Sequence, residues 1–128
     1  MDSEIGSTLS QRRRVLVVED ELLIGMLLED MLNDLGYEVV ATVGRLEEAL
    51  QMAREVAVDV AILDVNLNGQ EVYPVADVLA GRNIPFVFAS GYGDNGLPAP
   101  HQNRPTLPKP FQQELLQSRL AALLAASA

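Results

Sequence analysis

Five polar residues could together carry phosphoryl chemistry: Glu19, Asp20, Asp64, Ser90 and Lys109. Three carboxylates held close together repel one another, so such a cluster is stable in its ionised form when a cation occupies it. Oxygen ligands without sulfur or histidine favour a hard ion, and Mg²⁺ suits a site of few carboxylates and water. A carboxylate can also attack phosphorus and form an aspartyl phosphate. The residue types therefore predict a Mg²⁺-dependent phosphoryl acceptor.

The amine and the hydroxyl supply what such a site still needs. Phosphoryl transfer depends on positioning and charge neutralisation more than on covalent help. Lys109 and the cation would neutralise two phosphoryl oxygens, while Ser90 could donate a hydrogen bond to the third. Each residue alone has a plainer interpretation, with Asp20 as a helix cap, Ser90 as a turn residue and Lys109 as a surface lysine. The chemical interpretation depends on their lying together.

Short apolar runs place these residues at the ends of strands. The runs are 15–18 before Glu19, 60–63 before Asp64, 86–89 before Ser90, and the weaker 106–107 before Lys109. Continuous apolar runs are typical of strands that are buried on both faces of a parallel sheet. Open parallel sheets bind ligands beyond the carboxyl ends of their strands. The five side chains are therefore expected to meet at that edge.

Apolar spacing elsewhere predicts helices that alternate with the strands. A more polar strand at 38–43 is expected at the sheet edge, and helices are expected over about 24–35, near 45–56, over 72–81 and after Pro110. The inward residues expected on the first helix are Ile24, Leu27, Leu28, Met31 and Leu35. This alternation predicts an α/β fold of the flavodoxin-like class, with a five-stranded parallel sheet in the order 2-1-3-4-5 and helices on both faces.

One segment, residues 91–105, breaks the alternation. It contains three glycines and three prolines, which disfavour a regular helix between the fourth and fifth strands. We expect an irregular or shortened fourth helix, with at most one or two turns near residues 94–97. His101, the only histidine, lies in this segment and is expected to be solvated.

Composition bounds the class of protein. A chain of 128 residues that is 48% apolar forms one domain, and the lack of cysteine excludes disulfides and thiolate metal sites. A net charge of −9 argues against nucleic-acid binding, with Arg12–Arg14 interpreted as a solvated lead-in to the first strand. We expect a flexible tail at 1–12 and one domain at 13–128. With no signal peptide and no membrane-spanning stretch, a cytoplasmic location is expected.

Four segments in order carry a resemblance to a known family. They are Val15-Leu16-Val17-Val18-Glu19-Asp20-Glu21, Ile62-Leu63-Asp64-Val65-Asn66-Leu67, Ser90, and Pro108-Lys109-Pro110-Phe111. At these spacings, residues 14–124 resemble the receiver domain of a two-component response regulator. No output domain is expected after the last helix.

The resemblance implies a role for each site residue. Asp64 is the implied phosphoacceptor, and Lys109 the amine that pairs with the phosphoryl group. Ser90 is the implied switch hydroxyl. The implied metal ligands are Glu19 through water, Asp20, Asp64 and the backbone carbonyl of Asn66. The Lys109–Pro110 bond is expected to be cis, as is common in this family.

Three departures from the family pattern affect the switch. Thr106 stands where most receivers carry an aromatic residue on the fifth strand. The irregular 91–105 segment replaces a regular fourth helix. Residues 88–92 resemble the Phe-Ala-Thr-Gly-Tyr signature of certain stand-alone bacterial receivers. Ser90, Tyr92 and Thr106 are therefore the switch candidates, with Tyr92 as a hypothetical replacement for the missing aromatic.

The resemblance implies a single-domain response regulator rather than a dedicated enzyme. It would accept a phosphoryl group on Asp64 from a sensor histidine kinase or a histidine phosphotransfer protein, with Mg²⁺ as cofactor. It would then contact a separate downstream protein, or act as a phosphate shuttle or sink; a homodimer is left open. The alternatives are a Mg²⁺-dependent phosphatase, which generally needs an acid where Asn66 stands, and an interaction module with a degenerate site. A flavin-binding protein is disfavoured because no phosphate-binding loop follows the first strand.

Overall fold

A parallel sheet of five strands organises the part of the chain that the computed structural model describes, residues 12–90, 97–98 and 101–127. The elements are β1 Arg14–Val18, α1 Leu22–Asp34, β2 Glu38–Val43, α2 Leu46–Glu55, β3 Val60–Asp64, β4 Asn66–Leu67, β5 Gln70–Glu71, α3 Tyr73–Gly81, β6 Phe86–Ser90, β7 Thr106–Pro108 and α4 Gln113–Ser127. The sheet order is β2-β1-β3-β6-β7, and every neighbouring pair is parallel. This confirms the predicted flavodoxin-like order 2-1-3-4-5.

The apolar strands separate two hydrophobic cores. On one face, α2 and α3 pack against β1, β3 and β6. On the other face, α1 and α4 cover the alternate residues of the same strands together with Leu107 of β7. Strands β1, β3 and β6 are almost fully buried, whereas β2 at the edge is mostly half-buried. The continuous apolar runs therefore mark the interior strands, as the sequence indicated.

Helix α1 packs against the core with four of its five predicted inward residues, and the fifth is exposed. Leu28 and Leu32 are buried, whereas Leu27 is 43% exposed, so the inward placement of Leu27 was wrong. Leu22, Leu23 and Met26 are exposed as well. The first half of α1 is apolar nearly all round, so periodicity alone could not exclude Leu27 from the face that packs against the sheet.

A short hairpin follows β3. Strands β4 and β5 pair antiparallel around Asn68 and Gly69, whose φ angles are 52° and 87°. Positive φ at both central residues is the geometry for which Asn-Gly is preferred in tight hairpins. Leu67 anchors the hairpin in the core, with 1% of its surface exposed. The hairpin brings the chain back to the carboxyl end of β3, where the Val72 N–H donates to the Val65 carbonyl at 3.0 Å.

Between β6 and β7 the structure describes residues 97–98 and 101–105, and these residues contain no helix. Residues 101–104 form a turn, called here the His101 turn, in which the Arg104 N–H donates to the His101 carbonyl at 3.0 Å. His101 is buried rather than solvated, because aromatic side chains of α3 and β6 surround its ring. Tyr92, and residues 94–96 of the suggested helical turns, lie outside the described residues.

Helix lengths and polarity also bear on membrane insertion. None of the helices within the described ranges is long and apolar enough to cross a bilayer.

Candidate functional site

The predicted site residues converge at the carboxyl edge of the sheet. Glu19 follows β1, while Asp64 and Ser90 are the last residues of β3 and β6. Lys109 follows β7. Together with Asn66 and Asn68, several of these residues line an open cleft of about 430 Å³, called here the acidic cleft. The parallel topology therefore places the chemically active side chains in one location, as expected at a switch point.

Three carboxylates lie close enough to share one cation. Glu19, Asp20 and Asp64 each offer an oxygen atom, and these atoms lie within 4.8 Å of one another. Glu19 and Asp64 are buried, and Asp20 is half-buried. The donors are all oxygens, the set that Mg²⁺ prefers. A single ammonium group faces this concentration of negative charge, so the cluster fits a divalent cation.

Lys109, the only lysine in the sequence, provides that ammonium group. Its Nζ donates to Glu19 Oε1 at 2.9 Å and to Asp64 Oδ2 at 3.4 Å. Burial lowers the pKa of Lys109, but the two carboxylates outweigh burial and raise the pKa above its ordinary value. The Lys109–Pro110 peptide bond is cis, as predicted. The Lys109 N–H also donates to the Ser90 carbonyl at 3.2 Å, which ties the ends of β6 and β7 together.

Asp64 is the carboxylate whose ionisation the site most opposes. Burial, and then the hydrogen bond and negative charge of Glu19, raise the pKa of Asp64 from 3.8 to about 7, although Lys109 acts in the opposite direction. Asp64 Oδ1 also accepts the Asn66 N–H at 3.3 Å. A cation beside Asp64 would favour the charged form. The site is therefore better matched to a bound cation than to three free carboxylates.

The surroundings of Asp20 favour its charged form, unlike those of Asp64. Burial raises its pKa, but hydrogen bonds from the Asn68 backbone and with Glu19 and Asp64 outweigh burial and lower the pKa. The Asn68 N–H donates to Asp20 Oδ2 at 2.9 Å. The β4–β5 hairpin thus fixes a charged carboxylate at the mouth of the cleft.

The remaining predicted residues are placed as follows. Asn66 lines the cleft, and its side-chain Oδ1 accepts the Gly69 N–H at 2.7 Å, so its amide group closes the hairpin. Ser90 lines the cleft and is buried. Thr106 is buried in register with Phe88 on β6. The catalytic, metal-binding and switch roles assigned to these residues stay predictions.

Sequence reasoning missed two residues that shape the cleft. Asn68 donates to Asp20, and the Asn-Gly turn directly after β3 was a signal that the chain folds back there. Gly44 follows β2, and a Cβ atom there would lie 3.0 Å from the Asp20 Cα and 3.1 Å from the Glu19 carbonyl oxygen. Any side chain at position 44 would therefore press on the backbone of Glu19 and Asp20, which would have to shift by a few tenths of an ångström. No local pattern in the sequence marks Gly44.

The fold and the site define a class of protein: a flavodoxin-like α/β domain with an acidic cluster, a lysine and a hydroxyl residue at its switch point. The family described as the response regulator receiver domain matches residues 15–121. The chain therefore belongs to the response regulator receiver domain family. Its members are receiver domains of two-component response regulators.

Several solved structures resemble this chain. SdrG from Sphingomonas melonis Fr1 is 46% identical, with 88% of this chain and 97% of that chain covered and a TM-score of 0.79. SdrG from Pseudomonas melonis Fr1, in its BeF3-activated conformation, is 47% identical, with 87% and 95% covered and a TM-score of 0.75. The receiver domain of the sensor histidine kinase PA1611 from Pseudomonas aeruginosa PAO1, which has a magnesium ion in its active-site cleft, is 25% identical, with 89% and 98% covered and a TM-score of 0.74.

Curated relatives are longer than this chain. The transcriptional regulatory protein PdtaR from Mycobacterium tuberculosis is 36% identical over 86 residues, which are 66% of this chain and 42% of that protein. The chain spans less than half the length of the curated relatives it matches first. The similarity therefore concerns only part of each of these relatives.

Proposed function

We propose that this chain accepts a phosphoryl group on Asp64 from a histidine kinase or a histidine phosphotransfer protein, in the cytoplasm. The observation that carries the proposal is the setting of Asp64, which stands between the acidic pair Glu19 and Asp20 and the amine of Lys109. An Asp64 oxygen would attack phosphorus, form the O–P bond and displace the donor's imidazole as the N–P bond breaks. The signal would then pass by protein contact, or the phosphoryl group would be shuttled onward or lost.

The residues of the cleft would divide the work of that transfer. Mg²⁺ held by Glu19, Asp20, Asp64 and the Asn66 carbonyl would neutralise the carboxylates and the incoming phosphoryl oxygens. Lys109 would move from its contact with Asp64 to a phosphoryl oxygen, which carries more negative charge. Ser90 would donate its hydroxyl to another oxygen. These groups act by positioning and by charge, as phosphoryl transfer requires.

The same residues support a receiver rather than an enzyme that turns over phosphate esters. A phosphatase with an aspartyl nucleophile generally needs an acid two positions later to protonate the leaving group. Asn66 stands there, and its amide is engaged with the Gly69 N–H. An aspartyl phosphate formed here would lack that acid.

An exposed apolar surface beside the cleft supports a protein as the phosphodonor. Leu22 and Leu23 are 77% and 79% exposed, and Met26 and Leu27 follow them on the same helix. Leu22 and Met26 line a groove that also contains Glu19 and Asp20. A contiguous exposed apolar patch is typical of a protein interaction site. A partner seated there would have direct access to Asp64.

Intact mass measurement tests this function. The protein is incubated with Mg²⁺ and a small acyl phosphate, alongside the variant Asp64→Asn and a sample containing a chelator. We expect one labile phosphate on the wild-type chain in Mg²⁺ and none in the other two samples. An adduct that persists in Asp64→Asn would contradict the assignment, and rapid turnover of varied phosphate esters would favour the phosphatase.

A further inference from the structure

The only histidine of the chain is enclosed by aromatic rings between α3 and β6. The His101 ring stacks on Tyr73, with centroids 5.7 Å apart and planes at 12°. Its edge contacts are with Phe88 at 5.6 Å and Phe86 at 6.2 Å. We call these four residues the aromatic cluster. Only 3% of the His101 side chain is exposed, so the His101 turn is docked rather than lying free on the surface.

The two ring nitrogens of His101 have unequal surroundings. Nε2 donates to Asp77 Oδ1 on α3 at 3.0 Å, and the Asp77 side chain is 66% exposed. Nδ1 is buried, and no atom of the described residues accepts from it or donates to it. A buried polar atom without a partner destabilises the arrangement that buries it. Burial of Nδ1 therefore lowers the stability of the docked His101 turn. A turn whose docked state is only weakly favoured can also populate an undocked state.

Strand β6 connects the aromatic cluster to the acidic cleft. Phe88 lies two residues before Ser90, so both side chains face the same side of the sheet. Next to Phe88 on that side stands Thr106, its partner in β7. The Pro105 carbonyl accepts the Phe88 N–H at 3.2 Å, which joins the residue directly after the His101 turn to the same strand. A displacement of Ser90 would therefore also displace the Phe88 ring, which contacts His101.

We propose that the contact between His101 and Asp77 couples the acidic cleft to α3. The His101 turn is docked on α3 when Asp64 carries no phosphoryl group. It leaves Asp77 when the Ser90 hydroxyl engages a phosphoryl group on Asp64 and β6 shifts. His101 and Asp77 are positioning residues, because neither lines the cleft. This inference rests on the proposed function, and it makes the face formed by α3 and the His101 turn the place where a partner reads the phosphorylation state.

Nuclear magnetic resonance on the lone imidazole tests the coupling directly. The chain of 128 residues, labelled with ¹⁵N, is compared in Mg²⁺ alone and in Mg²⁺ with beryllium fluoride, which imitates a phosphoryl group. We expect the two imidazole nitrogens to shift on addition of beryllium fluoride, together with the amides of Asn66 and Asp77. Because the chain has one histidine, every imidazole signal in the spectrum belongs to His101.

Variants of Asp77 separate coupling from packing. Asp77→Ala removes the acceptor, and before any addition its His101 and Arg104 amides should move towards their wild-type positions in beryllium fluoride. Asp77→Asn keeps an acceptor oxygen and should retain the wild-type spectrum. Asp34→Ala, which removes an exposed acid from α1, controls for net charge. All three variants should still accept phosphate on Asp64, since neither Asp77 nor Asp34 lines the acidic cleft.

The outcomes distinguish failure of the coupling from failure of the proposed function. A shift at Asn66 with unchanged imidazole signals would overturn the coupling alone. So would an Asp77→Ala spectrum that coincides with that of Asp34→Ala. No shift at Asn66 and no phosphate on Asp64 would overturn the proposed function, and the coupling with it.

Discussion

The acidic cleft and the aromatic cluster meet at β6, but they are assembled in different ways. In the cleft, each side chain stands at a strand end, and the backbone topology alone brings them together. In the aromatic cluster, Tyr73 begins a helix, Phe86 and Phe88 lie within a strand, and His101 belongs to a turn. Their meeting depends on tertiary packing. The cleft is therefore fixed by the fold, whereas the cluster depends on how one turn packs against it.

The two regions also differ in how their polar groups are satisfied. Lys109 faces two carboxylates in the cleft, and the backbone of the β4–β5 hairpin contacts a third. In the aromatic cluster, one nitrogen of His101 has an exposed acceptor and the other has no partner among the described residues. The cleft suits chemistry that needs fixed charges. The cluster suits a readout that must change state.

Removing the cleft's amine should produce the largest effect. In Lys109→Ala, we expect the rate of phosphate incorporation on Asp64 to fall about 100-fold, because one fixed charge that stabilises the transferring phosphoryl group is lost. Quantitative intact mass measurement against time gives the rate. Arg45→Ala removes an exposed positive charge at the start of α2 and should remain within about threefold of wild type. Equal rates for Lys109→Ala and Arg45→Ala would remove Lys109 from the mechanism.

Truncating His101 should affect stability and leave the chemistry nearly unchanged. His101→Ala opens a space beside Tyr73 and Phe88, and we expect a loss of about 2 kcal/mol in the free energy of unfolding. His101→Phe keeps a ring there and removes the unsatisfied Nδ1, so its stability should equal or exceed that of wild type. Urea denaturation measures both, and both variants should still accept phosphate. A large fall in the phosphorylation rate of His101→Phe would give His101 a part in the chemistry itself and would contradict its assignment as a positioning residue.

The contrast between the regions explains what could be predicted from sequence. Apolar runs that end in Glu19, Asp64 and Ser90 are local signals, and a parallel sheet brings strand ends together whatever the rest of the chain does. The sheet order and the gathering of the site residues were therefore accessible. The placement of His101 was not, because nothing near it in sequence shows that Tyr73 and Phe88 will surround it. The inward placement of Leu27 was wrong for a related reason: where a helix is apolar nearly all round, the spacing of apolar residues does not show which of them face the sheet.

Adding one methyl group behind the cleft tests how rigidly it is held. In Gly44→Ala, the Cβ would lie about 3 Å from the backbone of Glu19 and Asp20, so that backbone must move. We expect a loss of 1 to 2 kcal/mol in stability, on the order of other overpacking changes, and weaker Mg²⁺ binding in a calorimetric titration. Gly81→Ala is the matched control, since no atom lies within 4 Å of the added Cβ. If Gly44→Ala behaved like Gly81→Ala, the close approach would have no role in shaping the cleft.

The smallest expected effect concerns the pH dependence of the metal-free cleft. The pKa of Asp64 is about 7 in the folded protein and near 3.8 when unfolded, so the folded state holds the extra proton between these values. Stability from this group is present below about pH 4 and is lost as the pH rises through about 7.

The asparagine side chain of Asp64→Asn cannot ionise, so this variant should not lose stability as the pH rises through about 7. Without Mg²⁺, its stability relative to wild type should rise between pH 5 and pH 8 by on the order of 1 kcal/mol, less than the full pKa difference implies because Lys109 responds to the same charge. Thermal unfolding across this pH range provides the measurement, with Asp34→Asn as an exposed control. Added Mg²⁺ should abolish the difference in trend, because a cation favours the charged carboxylate. A trend that is the same with and without Mg²⁺ would show that the ionisation of Asp64 is independent of metal binding, and would contradict the assignment of Asp64 as a metal ligand.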